Sequence, residues 1–242
     1  VVLEENLSLN ASSLNRFDIE AGAGSLIIKG DESAIDIQVQ ADIRTTEDKD
    51  YQLKLDQSGN TARLIAKHNS HSGYWNGSSP EINLTITMPA NLMLDIEDGS
   101  GELEISNINN NLNLEDGSGS ASIKNIAGDV QIDDGSGELV VKDIQGSLDL
   151  KDGSGGLTIS NITGDIEVND GSGGLTVSHV TGNIEIDDGS GGLTVKDVSG
   201  KVTIDDGSGH ISVSRAGALK IIESGSGGLS ISEVKGEVDV DS

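Results

Sequence analysis

An aspartate recurs every 18 residues along the C-terminal part of the chain, at Asp98, Asp116, Asp134, Asp152, Asp170, Asp188 and Asp206, each opening the tetrapeptide Asp-Gly-Ser-Gly; at the eighth place it becomes Ser224-Gly225-Ser226-Gly227. Carboxylates at so strict a spacing admit two chemistries. Each Asp can accept backbone N–H groups of its own Gly-Ser-Gly turn, as Asp does in Asx turns. Alternatively the row can hold divalent cations between repeats, Ca2+ above all, with Glu97, Glu115, Asp133, Asp187 and Asp205, each one residue earlier, adding oxygen ligands. If the repeats stack as strands do, about 4.8 Å apart, neighbouring carboxylates repel by roughly 1 kcal/mol in water and by more when shielded. Something must offset that charge.

A second group lies in the one non-repetitive stretch, the loop 68–77, which holds His68, His71, Tyr74 and Trp75. His68 and His71 are metal-ligand types that lack a third ligand at a recognisable spacing. Tyr74 and Trp75 can stack on a sugar ring or a protein partner, or can plug the end of the fold. His179 and His210 stand singly in the repeats and read as surface residues. No catalytic set emerges, because the acids are too many and too regular to single out a general acid and base.

The repeat itself must position these groups. Counting each 18-residue unit from its Asp, apolar residues fall at places 6, 8, 11, 15 and 17, as Leu157, Ile159, Ile162, Ile166 and Val168 do in the unit beginning at Asp152. Alternation with polar neighbours at 6 and 8 and again at 15 and 17 predicts two short half-buried strands per unit. Gly153 and Gly155 suit the first turn and Gly164 the second, with Ile162 tucked inward. Five aliphatic side chains cannot offset the ordering of 18 residues, so one unit cannot stand alone and the units must stack. The expected fold is therefore all-β: a single-stranded parallel β-solenoid, right-handed as parallel crossovers are, with eight regular coils over 98–242 in a rod about 35 Å long. Residues 1–97 read as degenerate coils and an N-terminal cap carrying the long loop, the whole being one continuous domain. Ala21 to Ile28 echo a Gly-Ser-Gly turn and its strand, with Ile35, Ile37 and Val39 as the strand that follows. The seventh coil breaks the pattern, with Lys220 at an inward place and Leu219 and Ile221 at outward ones, which predicts a bulge or register shift.

Composition narrows the partners. A formal charge of -26, with 7 basic and 15 acidic side chains over residues 1–97 against 8 and 26 over 98–242, argues against nucleic acid and anionic lipid. There is no Cys, hence no disulfide or thiolate chemistry. No apolar run approaches the roughly 18 residues of a membrane span, so no membrane insertion is expected. The chain opens at Val1 without a signal segment, as expected of a processed start. At the other end Val240-Asp241-Ser242 stop in register, an edge open to end-to-end self-association.

Pro89-Ala90, then Leu92, Leu94 and Ile96, then Asp98-Gly99-Ser100-Gly101-Glu102-Leu103-Glu104-Ile105, with the Gly-Ser-Gly coils continuing to Val240, resembles the bacterial putative-adhesin solenoids. The resemblance implies the stacked-coil fold and an extracytoplasmic location, periplasmic or at the cell surface, and brings no catalytic residues with it.

Three functions follow. The leading one is a non-enzymatic surface protein that binds or displays, its partner an unknown surface ligand, glycan or protein. The second is a calcium-stabilised structural rod; the coil length equals that of calcium-binding β-rolls, although their Gly-Gly-x-Gly-x-Asp order is absent. The third, a polysaccharide-acting β-helix enzyme, is disfavoured because such enzymes carry long loops over a groove and these coils keep one length.

Overall fold

The computed structural model describes residues 1–69 and 79–241. Among them there is no helix, and twenty-one strands build a parallel β-solenoid of about eight turns. The loop residues His71, Tyr74 and Trp75 lie outside the described residues.

Each regular coil follows its apolar alternation. A longer strand leaves the Gly-Ser-Gly turn, as in Gly119–Ile126, Gly137–Ile144, Gly155–Ile162 and Gly173–Val180. A shorter one returns, as in Leu112–Asp116, Val130–Asp134, Leu148–Asp152, Ile166–Asp170 and Ile184–Asp188. Each strand pairs in parallel with its counterpart 18 residues on, so like side chains stack: Leu139, Leu157, Leu175 and Leu193 in one column, Val141, Ile159, Val177 and Val195 in the next. Facing them across the rod, Leu148, Ile166, Ile184 and Val202 form a column of the second sheet. All twelve are buried. The core is a thin aliphatic sandwich repeated coil by coil.

The spacing from place 8 to place 11 is odd for a strand, and a backbone device resolves it. Asn125, Asp143, Asn161, His179 and Asp197, all at place 10, adopt φ between 58° and 60°. That left-handed residue turns the chain out of step, and Ile126, Ile144, Ile162, Val180 and Val198 then point inward. Asn and Asp tolerate this region better than most residues, which accounts for their frequency there.

The N-terminal part departs from simple coils. Its strands are β1 (Val2–Asn10), β2 (Arg16–Ala23), β3 (Leu26–Asp31), β4 (Asp36–Arg44), β5 (Tyr51–Ser58), β6 (Thr61–His68), β7 (Glu81–Pro89) and β8 (Met93–Ile108). Strands β2 and β3 lay a coil on β8, and β6 and β7 continue the two sheets in parallel beyond it. Outside these, β5 pairs antiparallel with β6, β4 with β7, and β1 with β4. The parallel ladders thus end under antiparallel strands. Ile35 is not inward as its alternation with Ile37 and Val39 predicts; it precedes β4 and is 73% exposed.

The seventh coil contains the expected irregularity. Register slips by one residue between the pairs Val198–Ala216 and Lys201–Ala218, and recovers between Ile204–Ile221 and Asp205–Glu223. Leu219 and Ile221 are thereby buried, and the extra residue, Ile222, is left exposed. On the eighth coil Leu229, Ile231, Val238 and Val240, at places buried in earlier coils, are 36–47% exposed.

Candidate functional site

The Asp row lies inside the rod. Place 15 and place 17 point inward, and the next step of the same alternation is the Asp of the following coil, so Leu148 and Leu150 lead directly to Asp152. Asp98, Asp116, Asp134, Asp152, Asp170, Asp188 and Asp206 sit opposite one another on successive parallel strands. Each is 0–6% exposed. On the N-terminal side Ala21 faces Asp98, and Ala66 faces Ala21, so the acid column gives way to methyl groups at the cap.

The turn-capping chemistry is present. The backbone N–H groups of Ser118, Ser154, Ser172 and Ser208 donate to Oδ1 of Asp116, Asp152, Asp170 and Asp206 at 3.0–3.2 Å. In these four the cap uses one oxygen and leaves Oδ2 without a partner; Oδ1 of Asp134 and both oxygens of Asp98 and Asp188 likewise have none among the described residues. Burial without compensation disfavours the carboxylate, and the neighbouring acids add repulsion. Asp98 is pushed up to about 7 by burial and then by Asp116. Asp134 and Asp170 are pushed up to about 6 by burial and by the acids of the adjoining coils. Asp116, Asp152, Asp188 and Asp206 shift upward for the same first reason.

The calcium reading requires six to eight oxygens around one ion. The column instead spreads its orphan oxygens one or two to a coil among aliphatic columns. Among the described residues no three His, Cys, Asp or Glu side chains are grouped to hold a metal ion. The outward acids Asp133 and Asp187 project to the opposite face of their strands and are exposed, away from the inward carboxylates.

Outside, the second sheet carries a shallow groove of about 740 Å³ that runs along the rod from Met93 to Thr203. Two outward columns form it. Place 14 supplies Asn111, Asp129, Ser147, Asp165, Asn183 and Lys201. Its side chains tie coil to coil: Asn111, Asp129, Asp165 and Asn183 accept the backbone N–H of Asp129, Ser147, Asn183 and Lys201 at 2.7–2.9 Å. Place 16 supplies Asp149, Glu167 and Glu185, flanked by Gln131 and Thr203. The lining contains neither His nor Tyr. The lining presents carboxylates and amides at regular intervals, with Lys201 as its one cation among the described residues. Place 10 makes a further exposed ladder, where Asn125 donates to Asn107, Asn161 donates to Asp143, and Arg215 donates twice to Asp197 at 2.5 and 2.9 Å.

His68 ends β6 opposite Tyr51, and the two rings meet edge to face with centroids 6.2 Å apart. Its Nε2 is buried and has no hydrogen-bond partner among the described residues. His179 and His210 are on the surface, His179 lying 3.8 Å from Asp197. Neither the inward place of the Asp column nor the coil-to-coil bonds of place 14 is among the sequence expectations. Both had a signal: the unbroken alternation through places 15, 17 and 1, and the run of Asn, Asp and Ser at place 14.

An acid column inside and rows of polar groups outside define a parallel β-solenoid whose exposed chemistry is repetitive. The chain belongs to the Toastrack DUF4097 family, whose pattern matches residues 14–242. It is similar in structure to a putative cell adhesion protein from Clostridium sporogenes, at 15% identity and a TM-score of 0.37, covering 96% of this chain and 99% of that one. A putative adhesin from Bacteroides fragilis is similar at 14% identity and a TM-score of 0.42, covering 99% and 97%. No curated protein matches the chain. Among the described residues no helix is long and apolar enough to cross a membrane.

Proposed function

We propose that this chain is a non-enzymatic, extracytoplasmic rod of the adhesin kind that binds or displays through its side faces. The observation that supports this most directly is the groove. Among the described residues it is lined along the rod, from Met93 to Thr203, by evenly spaced carboxylates and amides. Such a surface suits an extended partner that repeats its own hydrogen-bonding groups, a glycan chain or an extended protein segment, held by many weak contacts rather than one pocket. The net charge of -26 disfavours nucleic acid as that partner.

The test is binding to a panel of immobilised glycans and peptides, with wild type compared to the triple variant Asp149→Asn/Glu167→Gln/Glu185→Gln. These side chains are on the outer face, so folding should be unaffected. The expected result is a ligand that wild type retains and the variant binds at least tenfold more weakly, as removal of several charged contacts implies. A second variant, Tyr74→Ala/Trp75→Ala, assays the aromatic pair in the same way. Equal binding by wild type and both variants removes the groove and the loop as binding surfaces.

A further inference from the structure

We propose that the buried column from Asp98 to Asp206 is a proton-binding ladder, in which neutral carboxylic acids alternate with carboxylates along the rod axis. The argument begins with geometry. Seven acids occupy the same inward place on consecutive coils in unbroken register, and every one is more than nine-tenths buried. Each has at least one oxygen with no donor facing it. A row of seven desolvated anions at strand spacing has no physical support unless charge is removed or countered.

Among the described residues no countercharge faces the column. The inward residues of the same strands are Val130, Ile132, Leu148, Leu150, Ile166 and Val168 and their equivalents, and those of the facing strands are aliphatic as well. The titratable groups that act on the column are its own members together with Asp133, Asp187 and Asp205, and all of these are acids. Among the described residues no three His, Cys, Asp or Glu side chains gather to hold a metal ion there. Protons remain. A neutral acid brings the O–H group that the orphan oxygen of the next coil lacks, so one proton both discharges a carboxylate and supplies a donor. The raised pKa values of Asp98, Asp134 and Asp170 agree with this occupancy.

The sign of the stability effect follows by linkage. These acids hold their protons more tightly folded than unfolded, so their contribution is complete below the ordinary Asp value of 3.8. It is lost as pH rises through about 6 to 7. Glu20 and Asp197, whose pKa values are shifted downward by Lys67 and by Arg215, lose their contribution only at lower pH, outside that window.

The experiment compares melting temperatures of the wild type and of Asp134→Asn/Asp152→Asn/Asp170→Asn between pH 5 and pH 8, with EDTA and with added Ca2+. Asn keeps the oxygen that caps the turn and adds an uncharged N–H donor for the neighbouring coil. The expected outcome is a wild type that melts higher at pH 5 than at pH 8, a variant in which that difference shrinks by roughly two fifths because three of the seven acids are gone, and a variant more stable than wild type at pH 8. The same pH dependence in both proteins overturns the proposal. So does a Ca2+-induced rise in melting temperature at pH 8 that the variant lacks, since the column would then be a cation site. Infrared spectra of the wild type alone supply a reading that does not depend on the variant folding. The carbonyl stretch of protonated carboxylic acid should persist at pH 6, and its absence there overturns the ladder.

Discussion

Gly155→Ala is expected to open the rod between two coils, whereas Gly156→Ala, one residue later, should leave it intact. Gly155 stands at φ +147°, and a Cβ built on it would meet the carbonyl oxygen of Gly137 at 1.7 Å. That oxygen belongs to the backbone of the preceding coil and cannot swing aside. The Gly155 N–H also donates to the Ser172 carbonyl at 3.0 Å, so moving the residue breaks the ladder on its other side as well. Backbone strain, a steric clash with main chain and a lost ladder bond together place the substitution in the exceptional class, at about 4 kcal/mol or more. A Cβ on Gly156 meets nothing within 4 Å, and the change there should stay within about 0.5 kcal/mol. Thermal melting with limited proteolysis separates the two variants. Cleavage near residue 155 should appear only in the first, and indistinguishable melting curves would show that coil contact at this turn is not required.

The second large effect concerns register. Removing Leu157 to Gly174, one full period, joins Gly156 to Leu175 and leaves every apolar place facing inward. The product should fold as a rod one coil shorter, with a lower melting temperature because one interface between coils is gone. Removing one residue more, Leu157 to Leu175, brings Thr176 and Ser178 to the inward places and turns Val177 outward. A one-residue slip inverts a strand whose side chains alternate, so this coil should fail to form and carry polar groups that find no partner inside. Circular dichroism and melting should show a cooperative β protein for the first deletion and a loss of strand signal for the second. The seventh coil is the natural control. It absorbs a slip because Leu219 and Ile221 are already displaced by one place and Ile222 bulges outward.

Much of the fold was legible because one rule, alternation, governs both strands of every coil. The inward places 6, 8, 11, 15 and 17 read from residues such as Leu157, Ile159, Ile162, Ile166 and Val168 are all buried. The Asp column obeys the same rule. Alternation carried through Ile166 and Val168 reaches Asp170, but an acid is so seldom buried that the residue type alone points to a solvated turn. The left-handed residues at place 10 were hidden for a different reason: Asn125, Asp143, Asn161 and His179 share a backbone conformation and not a side chain. At the cap, antiparallel pairing between β4 and β7 depends on contacts distant in sequence, which no local spacing records. Of the loop candidates, His68 closes against Tyr51.

The side-chain bonds at place 14 give the rod a polarity along its axis. Asn111 receives the backbone N–H of Asp129, Asp129 that of Ser147, Asp165 that of Asn183, and Asn183 that of Lys201. In each case the acceptor belongs to the earlier coil and the donor to the later. The main-chain bonds at the same place run the other way: the N–H groups of Leu112, Val130, Leu148 and Ile166 donate to the carbonyls of Asp129, Ser147, Asp165 and Asn183 on the later coil. Each interface between coils is thus held from both sides at one place, and a coil cannot leave the interior of the rod without breaking bonds of both kinds.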